Sequence, residues 1–269
     1  MRKLAIALAA SATMTTASVQ AEQYYGFMNV SVNYLDWSEK TEDRTNPDIG
    51  GFGGPKEDFF YLELEGGAGF DWGDVYGFID LENAENVENK GQFSEDAGDT
   101  GGFRVAAKGS IAVNMGSSNW NYYGHVYSFT EASGGFYDQN IVLGVSYDLF
   151  TDSGFWIKPF LGVHVENQTF NGSGMNGFMA GYVMGYDFTI SEEKFSLVQW
   201  HETEFGREDQ FRGNGTVHTL SDVGHNGAVS VWWHASKAMS TGIQYRYADQ
   251  KLGTAAYHDA VIFTAKYNF

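Results

Sequence analysis

The 269-residue sequence contains no cysteine. Disulfide scaffolds, thiolate zinc sites, iron–sulfur clusters and cysteine nucleophiles are therefore excluded. Proline is scarce, at 3 residues, and 16 Lys+Arg stand against 34 Asp+Glu. So acidic a chain lacks the clustered cations on which affinity for a nucleic-acid backbone rests, and no nucleic-acid binding is expected. Long apolar runs are missing too. Beyond residue 21, no uncharged apolar stretch approaches the ~20 residues that a membrane helix needs. What is abundant is aromatic: 21 Phe, 16 Tyr and 7 Trp, with 34 Gly, at a mean hydropathy of only −0.32. That composition is too rich in rings for a disordered chain. A soluble protein would hide the rings in a core. A membrane β-barrel would show them to lipid around a polar interior.

The first 21 residues read as an export signal. Arg2 and Lys3 are followed by the short apolar stretch Leu4 to Ala10, then by small and hydroxyl residues. Val19-Gln20-Ala21 offers a cleavage site, so residues 1–21 are expected to be removed and 22–269 to form the mature domain. Losing Arg2 and Lys3 takes the formal net charge from −18 to −20.

Period-two alternation bounded by turn residues predicts twelve strands, at 24–36, 57–68, 72–82, 102–115, 119–130, 138–150, 155–169, 176–190, 194–206, 225–236, 239–250 and 257–269. Most are longer than the ~5–6 residues of soluble strands and suit a tilted strand crossing a bilayer. The connections alternate. Short turns are expected at 69–71, 116–118, 151–154, 191–193 and 237–238. Longer loops are expected at 37–56, 83–101, 131–137, 170–175, 207–224 and 251–256. Short periplasmic turns, long outer loops and an even strand number describe an all-β, 12-stranded antiparallel transmembrane β-barrel in a bacterial outer membrane. The acidic loop from Glu95 to Gly102 lacks EF-hand spacing and reads as solvated.

The alternation also assigns faces. In the last strand Val261, Phe263, Ala265, Tyr267 and Phe269 form the lipid row, placing Thr264, Lys266 and Asn268 inside. A Lys on the lipid face would cost ~2–4 kcal/mol near the midplane. Leu62 and Leu64 place Tyr61, Glu63 and Glu65 inside. Val75, Ile79 and Leu81 place Asp74, Tyr76, Phe78 and Asp80 inside. By the same rule Arg104, Lys108 and Asn114, then Lys158, Phe160, His164 and Glu166, then Gln244 and Arg246, face the lumen. The segment Trp200-His201-Glu202-Thr203-Glu204 conflicts on either face. Pro159 forfeits a ladder hydrogen bond and suggests a local bulge.

The predicted lumen holds charges of both signs beside rings. Asp74-Tyr76-Phe78-Asp80 offers flat apolar faces next to carboxylates, which suits a planar base on a ribose. An internal ion-pair network bracing a narrow barrel fits the same residues equally well. Arg104, Lys108, Lys158, His164, Arg246 and Lys266 are the candidate lumen charges. A non-specific or cation-preferring porin is the competing transport reading, because carboxylate rings favour cations. An enzyme is not expected. No Gly-x-Ser-x-Gly elbow occurs, His201-Glu202-x-Glu204 is too loose for a metal site, and His125, His164 and His234 read as lumen hydrogen-bonders. Neither a metal nor a cofactor is called for.

Three segments carry a resemblance. Phe27-Met28-Asn29-Val30-Ser31-Val32-Asn33 is similar to the first-strand motif of the nucleoside-specific channel family of outer-membrane proteins, the Tsx/OmpK group. Asp58 to Gly67 resembles that family's second strand with its Tyr-Leu-Glu-x-Glu core. Asp74-Val75-Tyr76-Gly77-Phe78-Ile79-Asp80 resembles its third-strand Asp-x-Tyr-Gly-Tyr-x-Asp, with Phe78 in place of the second Tyr. The closing Tyr267-Asn268-Phe269 also matches, and the terminal Phe looks like the signal read by barrel-assembly machinery. The resemblance implies a monomeric 12-stranded barrel passing nucleosides and deoxynucleosides through a narrow channel. It implies outer loops that serve several members as bacteriophage or colicin receptors in a lipopolysaccharide-bearing membrane. Its substrate-binding residues carry over to Phe27, Asn29, Tyr61, Glu63, Glu65, Tyr76, Phe78 and Asp80. The missing hydroxyl at Phe78 keeps stacking but removes one hydrogen bond.

Overall fold

The computed structural model describes residues 21–46, 56–84, 102–131, 135–213 and 219–269. The expected leader, apart from Ala21, and the acidic loop up to Gly101 lie outside them. Twelve long strands build the wall. They are β1 (Gln23–Trp37), β2 (Phe59–Phe70), β3 (Gly73–Glu82), β4 (Arg104–Asn114), β5 (Trp120–Glu131) and β6 (Tyr137–Tyr147). The second half comprises β7 (Phe155–Gln168), β8 (Gly172–Ile190), β9 (Glu193–Phe205), β10 (Gly224–His234), β11 (Met239–Asp249) and β12 (His258–Asn268). A two-residue ladder at Leu149–Phe150 adds to the lower edge of β7.

Every strand pairs antiparallel with its sequence neighbours, and β1 also pairs with β12, from Asn29↔Asn268 to Trp37↔Ala260. The sheet therefore closes on itself. Closure is what the surroundings demand, because an unpaired N–H or C=O in hydrocarbon costs several kcal/mol.

Burial inverts the usual order. In β1, Val32 is 51 % exposed, whereas Ser31 beside it is 1 % and Asn33 3 % exposed. Apolar side chains face outward and polar ones inward. Rings flank this outer band. On the short-turn side, Phe188 stacks on Tyr186 and Phe195 with centroids 5.8 and 5.6 Å away, and Tyr267 meets Phe269. On the long-loop side, Tyr34 packs on Phe60 at 4.8 Å. The outer mouth carries the helix α1 (Glu39–Thr45). Ser38 caps it by accepting from the Thr41 N–H at 3.2 Å and donates to Asp259 at 2.7 Å, which ties the helix to the start of β12.

Most strand bounds fall within a few residues of expectation. The connection expected as a loop at 170–175 is instead a tight turn at 169–171, with Gly172 at φ 76°. β7 and β8 run on to this turn as a paired hairpin, with Gln168 opposite Gly172, so the residues expected as loop there are mostly strand. Pro159 sits opposite Tyr182 in unbroken register, and the bulge expected beside it lies between Val163 and Val165. Gly177, at φ 69°, answers that bulge on β8. A Cβ there would lie 2.1 Å from the Gly206 carbonyl oxygen, so only glycine lets β8 and β9 approach.

Candidate functional site

Cross-strand register builds the lumen wall row by row. Asn29 pairs with Glu65, Glu65 with Phe78, Phe78 with Lys108, Lys108 with Tyr127, Tyr127 with Asn140 and Asn140 with Glu166. Paired residues share a face, so one observed inward residue fixes the whole row. Asn29 is buried while its neighbours Met28 and Val30 are exposed, which makes this the inner row. All eight candidate binding residues lie on this inner face. So do Arg104, Lys108, Lys158, His164, Arg246 and Lys266.

Glu65 is the most heavily bonded of them. It accepts from Asn29 Nδ2 at 3.1 Å, Tyr76 Oη at 2.9 Å and Lys266 Nζ at 2.8 Å. Glu63 and Asp80 face each other one pair further up. Ser31 donates to Glu63 at 3.4 Å, and Asp80 Oδ1 is buried without a hydrogen-bond partner. Of the three carboxylates, Glu65 holds the Lys266 ammonium directly, while the Arg246 guanidinium attracts Asp80 through space.

Two ion pairs cross the bore. Lys158 on β7 reaches Asp74 on β3 at 2.6 Å. Lys108 on β4 meets Glu202 on β9, five places away around the ring of twelve. Above the second crossing, Lys251 dips in from the β11–β12 loop to Glu204 at 2.7 Å and Glu202 at 3.7 Å, and Arg207 holds Glu204 at 2.6 Å. Porin-like passage needs an open bore on the scale of ~10 Å. Side chains that touch across the lumen narrow it at both levels.

Rings line the same walls. Phe27 and Tyr76 stand 6.5 Å apart, and Tyr76 meets Phe78 edge-on at 6.4 Å. Opposite them Tyr123 and Phe160 stack at 4.9 Å and 27°, with His125 edge-on to both. Gly181 makes room for this second shelf, since a Cβ there would come within 2.7 Å of the Phe160 ring. Tyr123, Glu202, Glu204 and Lys251 were not among the expected site residues. Tyr123 was hidden because β5 is aromatic on both faces, as Tyr122 and Tyr123 illustrate. Lys251 lies in a loop, where no period assigns a face.

The ambiguous segment in β9 resolves cleanly. Trp200, Glu202 and Glu204 point inward, and His201 and Thr203 point outward. His201 bonds Tyr247 Oη at 2.8 Å and Thr203 Oγ1 at 3.0 Å, and Thr203 bonds His225 at 3.0 Å. The outward histidine is satisfied within the wall, and because it points away from Glu202 the two cannot share a metal. Among the described residues no three His, Asp or Glu gather as a metal site. His164 bonds Asn140 at 2.7 Å, His125 bonds Tyr123 at 3.1 Å and His234 bonds Ser196 at 2.8 Å, so each braces the lumen wall.

The family model described as nucleoside-specific channel-forming protein, Tsx, matches residues 32–269. The chain belongs to this family. Among solved structures, the Tsx-family chain is similar to the outer-membrane channel DcaP of Acinetobacter baumannii, at 12 % identity, 94 % and 99 % coverage of the two chains and a TM-score of 0.38. It is also similar to an outer-membrane channel from Pseudomonas putida F1, at 8 % identity, 94 % and 98 % coverage and a TM-score of 0.44. Likeness at this level carries no functional weight. Family membership does: this is a nucleoside-specific outer-membrane channel, a transport protein and not an enzyme. Nucleosides are the permeants that the family implies.

Proposed function

We propose that nucleosides and deoxynucleosides diffuse through this Tsx-family channel by moving along two aromatic shelves and slipping past two ionic crossbars. Phe27, Tyr61, Tyr76 and Phe78 form one shelf, and Tyr123 with Phe160 forms the other. Each ring offers ~1–3 kcal/mol of stacking to a base of any identity. Asn29, Glu63, Glu65 and Asp80 supply the acceptors and donors for ribose hydroxyls. The observation that carries this reading is the pair of side-chain contacts spanning the bore, Lys158–Asp74 and Lys108–Glu202. They restrict the cross-section at two levels and so favour a selective path over a wide ohmic pore. The bracing role and the binding role are compatible, because a crossbar that holds the walls apart also sets the gap a permeant must fit.

The protein acts as a monomer, delivered by the 1–21 leader and embedded in lipid and lipopolysaccharide through its ring girdles. Liposome swelling tests the transport reading. Vesicles bearing the protein should swell faster in uridine or thymidine than in a sugar of similar size, and equal rates would remove the claim of selectivity.

A further inference from the structure

The connection between β11 and β12 does not stay outside the barrel. Lys251 and Thr254 bridge each other within it, and both are buried. Loops usually run over a surface, since a buried one must find partners for its backbone. This one finds them around the inner mouth. The Gln250 carbonyl accepts from Arg207 Nη1 at 2.6 Å, and the Gln250 side chain accepts from the Ser221 N–H at 2.9 Å. His258 Nε2 donates to the Lys251 carbonyl at 3.1 Å, and Lys56 Nζ, just before β2, donates to the Leu252 carbonyl at 3.4 Å. At the far end Arg44 of α1 holds the Tyr257 carbonyl at 2.7 Å. His258 lies opposite Ala248, and Trp37, beneath the Lys56 ammonium, lies opposite Ala260; both pairs are on the inner face. The segment therefore passes along the inside of the ring from β9 round to β2. Its shape is imposed. Gln250 and Leu252 stand at φ 55° and 58°, a left-handed region that residues with a Cβ keep only where their surroundings hold them. The strongest hold is on Lys251. Its ammonium lies 2.7 Å from Glu204 and 3.7 Å from Glu202, and Glu202 also meets Lys108 on β4. One ionic chain thus runs from the loop across the bore.

We propose that residues 250–257 are an inward strap that sets the outer entrance, and that Lys251 is the pin that seats it and so a specificity-determining residue of the channel. The proposal rests on the nucleoside reading above and adds a barrier made by a loop rather than by the wall. The strap covers the mouth from β9 to β2 and steers entering solutes along β3 to β8. That arc carries Tyr76, Phe78, Tyr123 and Phe160. A base gains from the forced contact by stacking, and a sugar without a base gains less. A strap released from its pin opens a path that bypasses these rings. Removing the pin strands no carboxylate, because Glu204 keeps Arg207 and Glu202 keeps Lys108. Lys251→Met, which retains the apolar stem, should therefore still assemble.

The test uses the full-length protein in liposomes. Lys251→Met should speed swelling in a sugar severalfold and in uridine less, so that the uridine-to-sugar ratio falls. Lys251→Arg should keep the parent's ratio. The chain has no cysteine, so Thr254→Cys offers a thiol reagent a single target. Position 254 is 2 % exposed and should be protected in the otherwise unchanged protein. Adding Lys251→Met should speed its modification by about tenfold or more, as loss of a buried ion pair shifts a local opening equilibrium. A changed flux ratio with an unchanged modification rate would overturn the strap, since charge alone would then select. Replacing residues 251–256 by a two-residue Asn-Gly turn removes the strap outright and serves if Lys251→Met fails to assemble. A flux ratio unmoved by that excision would also overturn the proposal. A parent with no preference for uridine would strike the nucleoside reading instead, and the modification rates would still judge the strap.

Discussion

Lys158 Nζ lies 2.6 Å from Asp74 Oδ2, although their strands, β7 and β3, stand four places apart around the ring. The ammonium also approaches Asp148 at 3.9 Å and the Phe150 ring at 5.6 Å, so it is held from both sides. Nothing local to either strand creates this contact. It exists because the barrel is narrow enough for one lysine to bridge it.

Removing both partners should therefore widen the path. The Lys158→Met/Asp74→Asn double variant should raise single-channel conductance and narrow the difference between uridine and sugar flux. Asp74→Asn alone should instead lower stability by about 1–3 kcal/mol, because it leaves a partly buried ammonium with only the longer contact to Asp148. Urea unfolding in lipid vesicles distinguishes the two effects.

Ring deletions should separate selectivity from conductance. Tyr61→Ala and Phe78→Ala should each reduce nucleoside flux by about tenfold, the size of one lost stack. Potassium conductance should hardly fall. Tyr123→Ala on the opposite shelf should behave in the same way. Equal losses of nucleoside flux and conductance would speak against stacking.

Wall orientation predicts a contrast between neighbours. Leu64→Arg places a cation on the lipid face and should cost ~2–4 kcal/mol if it sits near the midplane. Ser31→Arg, on the inner face, pays no lipid penalty and instead brings a charge to Glu63. Folding titrations into phosphatidylcholine vesicles measure the first effect, and channel conductance reports the second.

Lys56 sets a pH dependence whose sign can be worked out. Its pKa falls from 10.5 to about 8 in the folded protein. Below about 8 the ammonium is charged in both folded and unfolded states, and the folded state bears the whole cost of burying it. Between about 8 and 10.5 the folded state sheds the proton, so the cost fades and stability rises with pH. Lys56→Met should therefore be more stable than the parent at pH 7, with the gap closing by pH 10. Arg104, Arg246, Glu82 and His258 face the same ammonium, and the guanidiniums stay charged throughout. Denaturant titrations at the two pH values check it.

The wall was more legible in the sequence than the site. Strand faces could be read wherever apolar and polar residues alternate, as in Leu62-Glu63-Leu64-Glu65, because a side-chain period of two has only two phases. That reading failed where both phases carry polar groups. Thr203 and Glu204 are adjacent, and only the hydrogen bonds of the outer wall show that His201 and Thr203 can afford to face lipid. The second shelf was half visible, since Phe160 could be assigned inward but Tyr123 could not. The crossbars were not visible at all. Residues 108 and 202 share no period, turn or motif, and their contact depends on the strand number, the register and the tilt together.

The seam between β1 and β12 gives the chain a timetable. Thr264 donates to Asn33 at 2.6 Å across 231 residues of sequence. Until that bond and its neighbours form, both terminal strands present open edges, each able to pair with the wrong chain. Loop closure over such a distance is slow, so those edges stay open until the last strand pairs with the first. A half-made barrel has no half-function: the crossbars and shelves enclose a path only once the last strand closes the ring.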